Sequence, residues 1–157
     1  MKSFSFKPIA NKNAKILILG TMPGKKSLEM QEYYAYKYNV FWKIMFKLLN
    51  TEFSENYKTK QKLLKDNKIA LWDSLQYCIR EGSADANIKG EVPNDFETFY
   101  TEHSEIRTVF FNGTAAAKFY KKYVGFNENL KFYVLPSTSP ANASMRFEEK
   151  LKKWENY

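Results

Sequence analysis

Four short apolar runs, each closing on loop-forming residues or leading into a polar stretch, constrain this chain more than any other feature. "AKILILG" carries Ile16 to Leu19 into a glycine, "IALW" follows a lysine-rich segment, "TVFFNG" ends in Asn-Gly, and "KFYVLP" ends in proline. Each run is too short for an ordinary helix and has the near-continuous apolar character of a strand buried on both faces. Helical spacing fills the gaps between them. Phe41, Trp42, Ile44, Met45, Leu48 and Leu49 fall on one helical face with Asn39 at or near its amino cap. "KTKQKLLKDN" and "TAAAKFYKKY" predict two more helices, and a last one runs from about Met145 to Trp154. Alternating strands and helices predict the α/β class, with a parallel sheet covered on both faces. Ligands bind such a sheet outside the carboxyl ends of its strands, so the loops "GTMPG", "NGT" and "PSTSPAN" should converge on one crevice. The stretch after Gly24 reads as a loop, and the stretch from "IALW" to "VPNDFETFY" as a long polar connection.

With 157 residues and 44% hydrophobic content, one core and one domain spanning 1–157 are expected. No run of about 18 apolar residues is present to span a membrane, and "MKSFSFKPIA" lacks the apolar stretch of a secretory signal. An intracellular, cytoplasmic protein follows, expected to be a monomer. Cys78 and His103 are the only residues of their kinds and cannot together build a Cys/His zinc site, so neither metal nor cofactor is expected. Cys78 reads as a small buried hydrophobe and His103 as a loop residue. A net charge of +8 favours phosphate polyanions, although only three of the 25 basic residues are arginine and a lysine-rich composition supplies much of that charge.

Several chemistries are disfavoured. "GTMPGKKS" has neither the phosphate-loop order nor a Gly-x-Gly-x-x-Gly pattern, and no serine lies in a Gly-x-Ser-x-Gly elbow. The crevice that remains is made of backbone amides, hydroxyls, carboxamides and aromatic rings. Carboxamides match the edge of a nucleobase and aromatic rings its face. "YYAYKYNVFW", Tyr33 to Trp42, places six rings and one carboxamide in ten positions beside this crevice. These residues alone fit a nucleobase enzyme or a nucleobase binder equally.

Four segments in order, "LGTMPGKKS", "YYAYKYNVFW", "VFFNG" and "VLPSTSPAN", resemble the signature of the uracil-DNA glycosylase superfamily. "YYAxxxNxFW" and "LPSTSPAN" are similar to its hypoxanthine-DNA glycosylase branch, next to the mismatch-specific uracil/thymine branch. The resemblance implies a three-layer α/β/α sandwich with a four-stranded parallel sheet. It also implies DNA as partner and monofunctional hydrolysis of the N-glycosidic bond of a flipped hypoxanthine, with uracil as a further substrate. No cofactor is implied.

Carried over by position, the resemblance sets Gly20, Thr21, Met22 and Pro23 against the flipped base and sugar. The mismatch-specific branch holds its water-positioning asparagine where this chain has Met22, which cannot serve. Asn39 is then the implied catalytic group, its amide oxygen orienting the attacking water while backbone donors stabilise the departing base anion; a plain helix-cap role is the alternative. Tyr34 is implied to stack on the base, or else is a half-buried tyrosine. Asn112 is implied to read the base edge, or else supplies turn chemistry. Ser137, Thr138 and Ser139 are implied to grip backbone phosphates, with Ala141 and Asn142 near the gap left in the duplex. Phe41 and Trp42 are core by their spacing. Related sequences often read "YYAHPxNxFW", whereas Tyr36 and Lys37 stand here in place of His-Pro. That departure motivates two rival readings: a weak or inactive relative that binds DNA or nucleosides, and a basic scaffold whose rings are all core.

Overall fold

The computed structural model describes residues 2–142 and 144–155. In chain order its elements are β1 (Lys2–Phe4), β2 (Ile16–Gly20), α1 (Lys25–Met30), α2 (Phe41–Leu48), α3 (Tyr57–Asp66), β3 (Ile69–Asp73) and β4 (Leu75–Ile79). They continue with β5 (Lys89–Pro93), α4 (Phe96–Glu102), β6 (Thr108–Asn112), α5 (Thr114–Tyr123), β7 (Lys131–Leu135) and α6 (Phe147–Glu155). A single 3-10 turn, Asp85–Asn87, lies between β4 and β5.

A four-stranded parallel sheet in the order β3-β2-β6-β7 forms the centre. Its register explains why the centres of β2, β3 and β6 are apolar, whereas the edge strand β7 leaves Lys131 and Val134 exposed. Ile18 pairs with Leu71 and Phe110, while Leu17 pairs with Ala70 and Val109. Successive side chains point to opposite faces, so the two rows enter different layers. The Ile18 row packs with Phe41, Ile44, Met45, Leu64 and Trp154 of α2, α3 and α6. The Leu17 row packs with Phe96, Phe99, Ala116 and Tyr120 of α4 and α5. The result is the expected three-layer α/β/α sandwich. Phe41 and Trp42 are buried core residues, as their spacing predicts.

The stretch expected to be a polar connection instead holds β4, the 3-10 turn and β5, and α4 follows it. β4 joins β1 and β5 in a second, antiparallel sheet in the order β1-β4-β5. Its period is hidden because the β4–β5 register shifts between Leu75 and Tyr77 and again between Tyr77 and Ile79. β5 also contains Gly90 and Pro93, residues that argue against a strand. The loop expected after Gly24 contains α1, whose six residues are too few to display a helical stripe. The chain before β2 is tied down as well. Ile9 and Leu71 exchange both backbone hydrogen bonds at 2.9 Å and cover the open edge of β3.

Candidate active site

All four parallel strands end at the same side of the sheet, and there a cleft of about 1430 Å³ opens. Every residue singled out as touching base, sugar or phosphate lines it, from Gly20–Gly24 through Tyr34, Asn39 and Asn112 to the loop 137–142. The convergence of three strand-end loops predicted from their composition is present.

The loop after β2 is locked by its neighbours. Gly20 O accepts from Ser74 N–H at 2.7 Å, and the buried Arg80 guanidinium donates to the carbonyls of Pro23 and Ser83. Met22 sends its side chain into a small core cluster with Leu75 and Cys78, so its contribution to the cleft is a wall of apolar surface. Gly20 has a steric reason to be glycine. A Cβ there would stand 2.6 Å from the Tyr34 hydroxyl and 2.7 Å from Asp73 Oδ1.

The aromatic segment is held from several directions. Tyr33 O accepts from Trp42 Nε1 at 2.7 Å, Tyr33 N–H donates to the Tyr57 hydroxyl at 3.0 Å, and the Tyr33 hydroxyl donates to Lys7 O at 2.9 Å. Tyr34 adopts φ of 54°, a left-handed conformation that is costly for a bulky residue and is tolerated where surrounding contacts fix it. One face of its ring stacks on Phe41 at 4.2 Å between centroids, while its hydroxyl is sealed from solvent and without a hydrogen-bond partner among the described residues. The Asn112 carboxamide lies near that hydroxyl. Burial and the nearby Asp73 charge push the phenol far above its ordinary range, so it is neutral.

Asn39 lies one residue before the N-cap of α2, which is Val40. Its Oδ1 accepts from Phe41 N–H at 3.0 Å, a local turn that orients the side chain and leaves the second lone pair of the oxygen for another donor. Val40 N–H donates to Thr138 O at 3.1 Å, tying this segment to the loop 137–142.

Asn112 and Thr138 form a reciprocal pair. The Asn112 amide donates to Thr138 Oγ1 at 2.9 Å, and its oxygen accepts from Thr138 N–H at 2.9 Å. Thr138 is fully buried, so its hydroxyl is not on the phosphate-facing side of the loop as expected; it holds Asn112 instead. Ser137 and Ser139 remain partly exposed, each accepting one local N–H, and Asn142 donates to Ser137 O at 3.3 Å. From below, α6 pins the loop. Trp154 Nε1 donates to Pro136 O at 2.9 Å and the buried Lys150 ammonium donates to Ser139 O at 3.1 Å.

The profile of the uracil DNA glycosylase superfamily matches residues 7–157. The chain belongs to this superfamily. It is 36% identical over 138 residues to a protein named hypoxanthine DNA glycosylase from Methanosarcina acetivorans, covering 87% of this chain and 86% of that one. A Methanosarcina barkeri protein of the same name is 35% identical over 120 residues, or 76% of each chain. The fold is similar to the solution NMR structure of a candidate uracil DNA glycosylase from Methanosarcina acetivorans, with a TM-score of 0.84 at 32% identity over 99% of this chain and 96% of that one.

The sequence pattern does not single out two residues that this family member places at the cleft. Asp73 ends β3, is almost wholly buried and lines the cleft. Burial raises its carboxyl to about 7, against the lowering effects of a hydrogen bond from Ser5 and the Arg80 charge. Asp85, from the segment between β4 and β5, also lines the cleft and is raised by burial. The signal for Asp73 is available in the sequence. An acid directly after a buried parallel strand occupies the same topological position as the other three loops. Asp85 carries no such signal, because the second sheet that places it is hidden.

Proposed function

We propose that the protein is a DNA glycosylase that flips a deaminated base, hypoxanthine foremost and uracil second, and hydrolyses its N-glycosidic bond. One observation carries the reading: Asn39, the Gly20–Gly24 loop, Asn112 and the loop 137–142 converge on one cleft, in a chain 35–36% identical to two proteins named hypoxanthine DNA glycosylase. An extruded nucleotide presents its base to Tyr34 and the cleft floor and its sugar to Asn39. The free lone pair of Asn39 Oδ1 accepts a hydrogen bond from water and aligns it on C1′. An amide is too weak a base to deprotonate that water, so the rate comes from position and from stabilising the oxocarbenium-like sugar and the charge developing on the base. The lysines that line the cleft, Lys25, Lys26 and Lys153, are exposed and suit phosphate binding better than Schiff-base chemistry. The reaction is therefore hydrolytic and monofunctional.

A second reading, binding without turnover, draws on Asn39 Oδ1 already serving Phe41 and on Tyr36-Lys37 standing exposed where related sequences often read His-Pro. One assay separates the two. Duplexes carrying hypoxanthine, uracil, xanthine or mismatched thymine are incubated with protein, and abasic sites are then cleaved with alkali. Hypoxanthine release is expected to fall by about 100-fold in Asn39→Ala, the scale for losing one transition-state hydrogen bond. Cleavage without alkali would contradict the monofunctional assignment, and release no greater than that of Asn39→Ala would leave only the binding reading.

A further inference from the structure

The proposed reaction stabilises the charge developing on the base without naming the side chain that meets it, and Asn39 acts only at the sugar. Of the acids that line the cleft, Asp73 is the buried one, whereas the side chains of Asp85 and Glu29 are about half exposed. Asp73 sits at the carboxyl end of β3, and its two oxygens have different surroundings. Oδ2 accepts from Ser5 Oγ at 2.7 Å. Oδ1 faces the Cα of Gly20 beside the unpartnered Tyr34 hydroxyl, both within 2.7 Å of the point where a Gly20 Cβ would stand. A proton on this carboxyl therefore resides on Oδ1, because Oδ2 is occupied as an acceptor. Among the described residues no ion pair neutralises the carboxylate; the nearby Arg80 guanidinium is engaged by two carbonyls and by Asp85 at 3.7 Å.

We propose that Asp73 is the general acid for the leaving base: Oδ1 donates its proton to the N7/O6 edge of hypoxanthine as the glycosidic bond breaks. This rests on the glycosylase reading. The electron pair of the C1′–N9 bond goes to the purine, and the proton from Oδ1 goes to N7, so the base departs as a neutral N7–H tautomer. The water oxygen bonds to C1′, and the proton it sheds returns to Asp73 through solvent. No further reactant is needed. The dry position of Asp73 keeps the acid form populated near neutral pH.

The surrounding groups permit this role. Ser5, ahead of β2, favours the ionised form through its hydrogen bond, and Arg80, just after β4, does so through its charge. Asp85, from the segment after Arg80, favours the acid form. Tyr33 and Tyr34, between α1 and α2, and Tyr57, opening α3, are all held neutral by burial, so none competes as a charge. The acid form of Asp73 is lost as pH rises through about 7, so base release should fall across that interval.

The test is single-turnover release of hypoxanthine between pH 5.5 and 9 by the wild type, Asp73→Asn and Ser5→Ala, with thermal melts to verify folding. Asp73→Asn is expected to lose about 100-fold or more at pH 6 and to lack the fall near pH 7. Ser5→Ala, which removes an influence favouring the carboxylate, should move that fall to higher pH while Asp73 stays in place. Replacing hypoxanthine by its 7-deaza analogue, which has no N7 to accept the proton, should slow the wild type and leave little further penalty in Asp73→Asn. A structural role for Asp73 would shift none of these profiles selectively. Wild-type protein that releases no base from any duplex removes the glycosylase reading and this proposal with it. Active wild type, together with an Asp73→Asn that keeps the same pH profile and a rate within about threefold, or a Ser5→Ala that leaves the profile unmoved, overturns the proposal alone.

Discussion

A β-carbon at position 20 would press on the Tyr34 hydroxyl and on Asp73 Oδ1 together, and one of these cannot yield cheaply. The Tyr34 ring is stacked on the fully buried Phe41, so displacing it disturbs the α2 layer of the core. Gly20→Ala is accordingly expected to lower stability by about 1–3 kcal/mol, the usual cost of overpacking. It should also slow base release by more than Ala substitution at Gly24, where a Cβ meets only Ser83 at 3.4 Å. Urea denaturation and single-turnover assays of the two variants give the comparison, and equal effects would show that the crowding at Gly20 is not what matters. The same crowding shows why part of the site is not legible in the sequence. "LGTMPG" reveals a turn, but nothing in it states that Gly20 faces an acid 53 residues later; only the parallel pairing of Gly20 with Asp73 does so.

At the scale of elements, legibility followed length and regularity. β2, β3 and β6 announced themselves because both faces of each are buried, leaving no polar residue to interrupt Ile16–Leu19 or Val109–Phe111, while the edge strand β7 keeps an apolar run although Val134 is half-exposed. β4 and β5 did not, because their pairing is irregular and β5 carries turn residues. Within the site, the loop residues 137–142 were legible as a group, yet their division of labour was not. Thr138 turns inward to Asn112, and α6 supports the loop from the other side. Trp154→Phe retains a ring against Phe41 but deprives Pro136 O of its donor. The expected stability loss is about 1 kcal/mol, with base release slowed severalfold because the loop is less firmly placed. Lys152→Ala, on the exposed face of the same helix, should change neither quantity. If the two variants behave alike in thermal melts and release assays, α6 does not position the loop.

For the whole molecule, the question is where a net charge of +8 acts. A uniformly basic surface attracts DNA anywhere, whereas a productive complex requires the phosphates flanking the flipped nucleotide to lie at the mouth of the cleft. Lys25 and Lys26 open α1 at one rim, and Lys153 projects from α6 at another; all three are exposed. Asp85, and Glu29 on α1, also line the cleft. They oppose phosphate entry into the interior and thereby favour phosphate binding at the rim, leaving the neutral base to go deeper. Lys26→Gln combined with Lys153→Gln is therefore expected to flatten the dependence of log affinity on log salt by roughly two units, about 0.9 for each duplex phosphate no longer neutralised. Lys12→Gln combined with Lys58→Gln removes the same charge from exposed positions that do not line the cleft. Because those positions meet phosphate only nonspecifically, the slope for a duplex carrying an uncleavable deoxyinosine analogue should hardly change. Fluorescence anisotropy titrations over a series of salt concentrations provide both slopes. Equal slopes for the two double variants would place the DNA track elsewhere on the surface, since charge removed from a true rim must cost counterion release that charge removed at a distance does not.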